Sequence, residues 1–124
     1  MEKISTNRAP AAIGPYSQAV KTENMIFLSG QIPIDPETGA LVNGGIRAQT
    51  EQICKNIGAV LHEAGADFGN VIKTTCFLSD MADFSEFNEI YAEYFVSLPA
   101  RSCVAVKGLP KNALCEIEVI AEIV

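Results

Sequence analysis

Apolar residues recur along this chain with two different periods, and the changes between them predict the order of its elements. Alternating or continuous apolar runs bounded by turn residues predict five strands, at residues 16–21, 25–31, 71–78, 102–106 and 113–123. Apolar residues at three- and four-residue spacing predict two amphipathic helices, at residues 46–64 and 84–95. Residues 1–15, which contain two prolines and a glycine, are expected to form an ordered but irregular loop.

The order strand, strand, helix, strand, helix, strand, strand predicts an α+β fold. Its simplest form is a two-layer sandwich in which both helices pack on one face of a single mixed sheet. A chain of 124 residues lies near the commonest domain size, so residues 1–124 are expected to form one domain.

Several residues indicate where the helices begin and end. Gly44-Gly45 is expected to form the turn that leads into the first helix, and Gly65 is placed to end it as a C′ glycine. His62, near that end, fits a partner for the helix dipole better than a ligand. Asp83, with Glu86 three residues later, resembles a capping box at the start of the second helix.

The two faces of the last predicted strand differ in composition. One face is wholly apolar and is expected to lie under the helices: Cys115, Ile117, Val119, Ala121 and Ile123. The other face mixes carboxylates with large aliphatic residues: Leu114, Glu116, Glu118, Ile120, Glu122 and Val124. That mixture is too apolar for free solvent and too charged for a core, so we expect a subunit interface there.

Composition and charge exclude several classes of function. The net charge of −6 argues against a dedicated nucleic-acid binder and against binding to anionic membranes. No apolar run approaches the ~20 residues of a membrane span, and residues 1–5 do not read as a secretion signal. Four irregularly spaced cysteines with a single histidine favour a reducing cytoplasm and argue against a zinc site.

The segment Pro99–Val106 combines an arginine with a cysteine at the start of a strand. Arg101 offers the planar fork that best grips a carboxylate, and Cys103, two residues later, points to the same face. An exposed salt bridge and a core cysteine would explain the same residues. Cys103 as a nucleophile would need a base, and Ser29 has no histidine to activate it.

A wider group of polar residues suits the hydrolysis of an electrophilic small molecule. Such hydrolysis needs one carboxylate side chain that positions water and, beside it, an arginine guanidinium that binds the carboxylate of the substrate. The candidates are Arg101, Glu116, Tyr16, Ser29 and Asn88. Each also has an ordinary structural explanation in packing or on the surface.

Five segments together resemble the RidA/YjgF family of reactive-intermediate deaminases. They span nearly the whole chain in order: residues 9–18, 29–33, 99–104, 109–111 and 116–118. The resemblance implies a chorismate-mutase-like fold, a homotrimer with clefts between subunits, and no cofactor or metal. It also implies hydrolysis of 2-imino acids and their enamine tautomers to 2-oxo acids and ammonia, with 2-iminobutanoate, 2-iminopropanoate and 2-aminoacrylate as substrates.

The resemblance also assigns roles to individual residues. Arg101 would clamp the substrate carboxylate, and Glu116 would position or activate the attacking water. The Cys103 backbone would hydrogen-bond the imine nitrogen or the water, and Tyr16 would close the pocket. The remaining residues would line the pocket or its rim: Ser29, Gly30 and Asn88. Some of them are expected to come from different subunits.

Two departures from the family pattern stand out. The segment between Asn88 and Arg101 is a few residues shorter than in close relatives, and Ala105 replaces a frequent glutamate. Translation inhibition or ribonuclease activity, ascribed to some family members, remains an alternative function. A ligand-binding regulatory or chaperone-like trimer is another.

Overall fold

A computed structural model describes residues 1–123, which form a six-stranded sheet covered by two helices. The strands are β1 (Glu2–Ile4), β2 (Ala19–Thr22), β3 (Met25–Gln31), β4 (Val71–Leu78), β5 (Ala100–Ala105) and β6 (Cys115–Glu122). The helices are α1 (Gly45–Glu63) and α2 (Phe84–Tyr94). The sheet order is β1-β2-β3-β6-β4-β5, and only the β4–β5 pair is parallel. The predicted α+β fold with a mixed sheet and two helices is confirmed.

The core lies between the two helices and one face of the sheet. The predicted apolar face of β6 is buried there, and α1 and the α2 segment supply the residues opposite it: Ile53, Cys54, Ile57, Val60, Leu61, Phe87, Tyr91 and Phe95. Cys54, Cys76 and Cys115 are fully buried free thiols, and burial raises the pKa of Cys76 and of Cys115 to about 12. These three cysteines act as small core hydrophobes.

The face of β6 away from the helices, here called the open face, carries Glu116, Glu118, Ile120 and Glu122. Leu114, predicted to share this face, instead precedes the strand and packs against the core. Val124, assigned to the same face, lies outside the described residues. Phe27 is paired in register with Ile120 and is 43% exposed, so a large aromatic side chain remains on this face. The mixture predicted from the sequence is therefore present, and no helix of the described chain covers it.

Two further predictions are wrong. The first residues are not all irregular, because Glu2–Ile4 pairs antiparallel with β2 as an edge strand. Asp83 makes no side-chain cap, since a 3₁₀ turn over residues 81–83 runs directly into α2 and Asp83 is already helical. Asp80 takes over the capping, and its carboxylate accepts a hydrogen bond from the Ala82 N–H at 2.9 Å.

Candidate functional site

Arg101 lies on the edge strand β5 and extends towards α2. Its Nη1 donates a hydrogen bond to Asn88 Oδ1 at 2.6 Å. The guanidinium carbon lies 4.7 Å from the centre of the Tyr91 ring and 5.5 Å from that of Phe84. Within residues 1–123, no carboxylate oxygen lies within 4.0 Å of this guanidinium. Arg101 is therefore oriented by neutral partners and keeps donors for an anion.

The spacing of residues along α2 explains how this helix holds the arginine. Phe84, Asn88 and Tyr91 stand four and three residues apart, so they share one helix face. Tyr91 is fixed in turn by its hydroxyl, which lies 2.7 Å from the Thr74 hydroxyl. Phe84 and Tyr91 were not among the predicted site residues, although their helical spacing from Asn88 is the sequence signal that could have indicated a shared site.

The residues around the guanidinium form a cavity, here called the Arg101 cavity. Its lining consists of Asn88, Tyr91, Ala92, Phe95, Leu98, Pro99 and Arg101. Leu98 is 87% exposed and has a positive φ of 52°, an uncommon conformation for a large side chain. Leu98 and Pro99 form one wall of this cavity.

Glu116 belongs to a separate cavity, here called the Glu116 cavity. It is lined by Tyr16, Ser29, Gly30, Ile32, Pro110, Glu116 and Glu118. Glu116 approaches the backbone of β3 so closely that a Cβ built on Gly30 would overlap its Oε2 and lie 3.0 Å from its Cδ. Four predicted site residues thus meet here: Tyr16, Ser29, Gly30 and Glu116. Glu118 also lines the cavity and was not among the predicted site residues.

The loop that carries Tyr16 is held by a single buried amide. Gln18 Nε2 donates hydrogen bonds to the carbonyls of Thr6, Ala9 and Pro10, and its Oε1 accepts one from the Thr6 N–H. Ser29 adds to this support, since its hydroxyl donates to the Ser17 carbonyl at 2.5 Å. Tyr16 itself is 54% exposed, so its phenol remains available to a neighbouring molecule.

The environment of Glu116 favours its protonated form. Partial burial raises the pKa of this carboxyl above its ordinary value, and the negative charge of Glu118 raises it further. A carboxylate with a raised pKa in a cavity is a better proton acceptor than an exposed one, which suits activation of water.

The two cavities lie on opposite faces of the sheet. Arg101 is in register with the buried Thr74 and faces α2. Glu116 is in register with Phe77, and both project from the open face. Since adjacent residues in register share a face, a single chain does not bring the guanidinium and this carboxylate together.

Cys103 shares the helix-side face with Arg101, as predicted from strand alternation. It is in register with Cys76 and packs against the core. Burial raises the pKa of its thiol, and the nearby Arg101 only partly opposes the shift. An activated thiolate is therefore not favoured at this position.

Residues 1–123 contain no cluster of three histidine, cysteine, aspartate or glutamate side chains arranged to hold a metal ion. Neither helix has the combination of length and apolar content that crossing a membrane would need, in the part of the chain described.

Comparison with known proteins gives concordant matches along the chain. The family model described as Endoribonuclease L-PSP matches residues 6–123. The mouse 2-iminobutanoate/2-iminopropanoate deaminase is 54% identical over 95% of this chain and 88% of its own length. A RutC family protein of Pyrococcus abyssi is 54% identical over 97% of this chain and 95% of its own.

Among solved structures, E. coli TdcF with bound serine superposes with a TM-score of 0.95. It is 41% identical to this chain, and the match covers 100% of both. Sequence identity of this size over nearly the full length of the chain shows common ancestry. The chain belongs to the RidA/YjgF family, whose family model carries the description Endoribonuclease L-PSP.

Proposed function

We propose that this protein is a 2-iminobutanoate/2-iminopropanoate deaminase, which hydrolyses 2-imino acids and their enamine tautomers such as 2-aminoacrylate. Water adds to C2, a C–O bond forms, and the C=N π electrons move to nitrogen, which takes up a proton. The resulting carbinolamine expels ammonia as its hydroxyl loses a proton, leaving a 2-oxo acid. One water is consumed and one ammonia is released, without a change in oxidation state. The named activity of the mouse relative supports this proposal.

The main observation behind the proposal is that the Arg101 guanidinium is held in place but has no carboxylate partner among residues 1–123. Its guanidinium is held by Asn88 and by the Tyr91 ring, and no described carboxylate within 4.0 Å neutralises it. A planar fork presented in this way matches the carboxylate common to all 2-imino acids. In this role Asn88 orients the guanidinium at the rim of the pocket.

Glu116 is the proposed base that takes a proton from water. Its raised pKa lets it accept the proton as the C–O bond forms and return it to the departing ammonia. Tyr16 closes the pocket over the substrate, and the Cys103 backbone hydrogen-bonds the imine nitrogen or the water. The lining residues of the Glu116 cavity then include Ser29 and Gly30.

The site is proposed to be completed by a second copy of the chain, in a homotrimer. The opposite orientations of Arg101 and Glu116 support this arrangement, because the Arg101 cavity of one protomer then meets the Glu116 cavity of its neighbour. The exposed Phe27 and the half-buried Ile120 on the open face supply apolar surface for such contacts. Each chain is proposed to contribute a single domain, residues 1–124.

The alternatives have weaker support. The description Endoribonuclease L-PSP names a nuclease, but the net charge of −6 and a single histidine do not suit cleavage of RNA. A purely regulatory ligand sensor would use Arg101 without needing the Glu116 cavity. No cofactor or metal is assigned to the reaction, and four free cysteines support a cytoplasmic location.

The proposal is tested by adding the purified protein to threonine dehydratase and threonine, which generate 2-iminobutanoate. Semicarbazide captures the imine, so a deaminase lowers the rate of semicarbazone formation. We expect activity from the wild type and a loss of about 10²-fold or more in Arg101→Ala. Arg47→Ala is the matched control, because Arg47 pairs with Glu89 on the surface at 2.8 Å. An inactive wild type, or an undiminished Arg101→Ala variant, would overturn the proposal.

A further inference from the structure

A second cavity adjoins the Glu116 cavity and is not used by the chemistry proposed above. Its volume is about 310 Å³. Tyr16, Gly30, Ile32 and Pro110 line both cavities, so the two share a wall. Here it is called the side cavity.

The side cavity is predominantly apolar. Beyond the shared wall, its lining includes Pro10, Ala11, Ile13 and Ile34. Two glutamines also line it: the Gln18 amide is already bonded to the N-terminal loop, as described above, and the buried Gln31 donates from Nε2 to the Ser29 carbonyl at 3.5 Å. Its charged member, Lys111, is an exposed residue whose ammonium can reach solvent while its stem covers apolar surface. Apart from the Gln31 amide, such a cavity offers little to a polar ligand group.

The loop that bounds the side cavity is held in an unusual conformation. Lys111 and Asn112, directly after Pro110, have positive φ angles of 56° and 58°. Consecutive left-handed residues other than glycine cost free energy and persist where the surrounding structure requires them. Pro110, directly before these two residues, lines both cavities.

We infer that the side cavity receives the side chain of the substrate, and that the preferred substrates are 2-imino acids with branched aliphatic side chains. This inference rests on the proposed function, because it assumes that C2 of the substrate lies beside Glu116. The cavity, about 310 Å³ in volume, has room for many waters and therefore for a side chain larger than a methyl group. The methyl group of an alanine-derived imine leaves most of that space unused, whereas an isobutyl group places three further carbons against Ile13, Ile32 and Ile34.

The size of the expected preference follows from the burial of methylene groups. One additional methylene in an apolar pocket typically changes kcat/KM by about 10-fold or more. We therefore expect kcat/KM for the leucine-derived imine to exceed that for the alanine-derived imine by at least about 10-fold. Ala11 is an exposed loop residue that lines the side cavity, so enlarging it fills the cavity from outside the core.

The test uses an L-amino-acid oxidase with catalase to generate each imine, and semicarbazide capture to measure its hydrolysis. Ala11→Phe is expected to lower the leucine-to-alanine ratio of kcat/KM at least about 10-fold. Ala40→Phe, an exposed alanine outside the cavity lining, is the matched control and keeps the wild-type ratio.

The outcomes separate this inference from the proposed function. If the wild type hydrolyses both imines equally well, or if Ala11→Phe keeps the wild-type ratio, the inference is overturned while the deaminase proposal stands. If neither imine is hydrolysed, the deaminase proposal itself fails. An Ala11→Phe variant that does not fold is replaced by Ile13→Ser, which makes the 83% exposed wall residue polar and is expected to lower the same ratio.

Discussion

Gly30 lies directly against the carboxyl group of Glu116, and the space that a Cβ would need is occupied by Oε2. Gly30 is not one of the residues with a positive φ, so its backbone would accept another amino acid. The requirement for glycine at this position therefore comes from the approach of a side chain on the neighbouring strand. The position of the proposed base depends on a missing methyl group.

Replacing Gly30 by alanine is expected to displace the Glu116 carboxylate and lower kcat at least about 10-fold, because small misplacements of a reacting group are costly. Steady-state hydrolysis of 2-iminobutanoate measures the effect, and circular dichroism checks the fold. Gly108→Ala is the control, since a Cβ there meets no atom within 4 Å. Equal kcat values for Gly30→Ala and wild type would show that the close approach has no catalytic role.

Replacing Glu116 by glutamine is expected to abolish most of the activity, by about 10²-fold or more, while preserving or increasing stability at neutral pH. The folded-state pKa of Glu116 is raised, so its ionisation opposes folding as the pH rises through that pKa. Below the ordinary glutamate pKa of about 4.3, Glu116 is neutral in both the folded and the unfolded state. The difference in stability between wild type and Glu116→Gln that comes from this ionisation then disappears. Thermal unfolding of both proteins from pH 4 to pH 8 measures this difference. A variant that is less stable than wild type only at neutral pH would contradict the expected direction.

Replacing Glu118 by glutamine is expected to move the acidic limb of the pH–rate profile to lower pH. Glu118 raises the pKa of Glu116, so removing its charge lets the base remain ionised in more acidic solution. The other titratable side chain that lines this cavity is Tyr16; Ser29, Gly30, Ile32 and Pro110 carry no charge. The measurement is the pH dependence of kcat/KM for wild type and Glu118→Gln. A shift of the acidic limb to higher pH would refute the proposal that Glu118 raises the pKa of the catalytic base.

Mixing Arg101→Ala chains with Glu116→Gln chains is expected to restore activity. If each site takes its arginine from one protomer and its glutamate from the next, equal mixing of the two inactive chains rebuilds about a quarter of the sites. The two chains are denatured and refolded together, and the activity is compared with that of each variant refolded alone. No recovery from a mixture that has demonstrably exchanged subunits would mean that both residues serve the same site from one chain.

Much of the fold could be predicted from the sequence, because the periodicity of apolar residues indicates which face of each element is buried. The bounds of β3 and β4 follow their apolar runs, and the alternation in β6 separates buried from open residues. The strand β1 was missed because Glu2–Ile4 is too short for alternation to appear and is stabilised by pairing with β2. Asp83 was misassigned because a local capping pattern cannot reveal that a 3₁₀ turn precedes the helix.

The candidate site was only partly accessible from the sequence. Alternation correctly placed Arg101 and Cys103 on one face, but which face that is depends on the parallel pairing of β5 with β4. The grouping of Tyr16 with Glu116 depends on the adjacency of β3 and β6, which are far apart in sequence. Long-range strand order is a tertiary property, so the separation of the two cavities required the structure.

The buried cysteines are natural probes of local unfolding in this chain. Cys54, Cys76 and Cys115 report on α1, β4 and β6 respectively, and each is inaccessible to an alkylating reagent in the folded state. Their raised pKa values suppress the thiolate that such reagents attack. The rate of alkylation at each position, read by mass spectrometry without any engineered label, would therefore measure how often that element separates from the core.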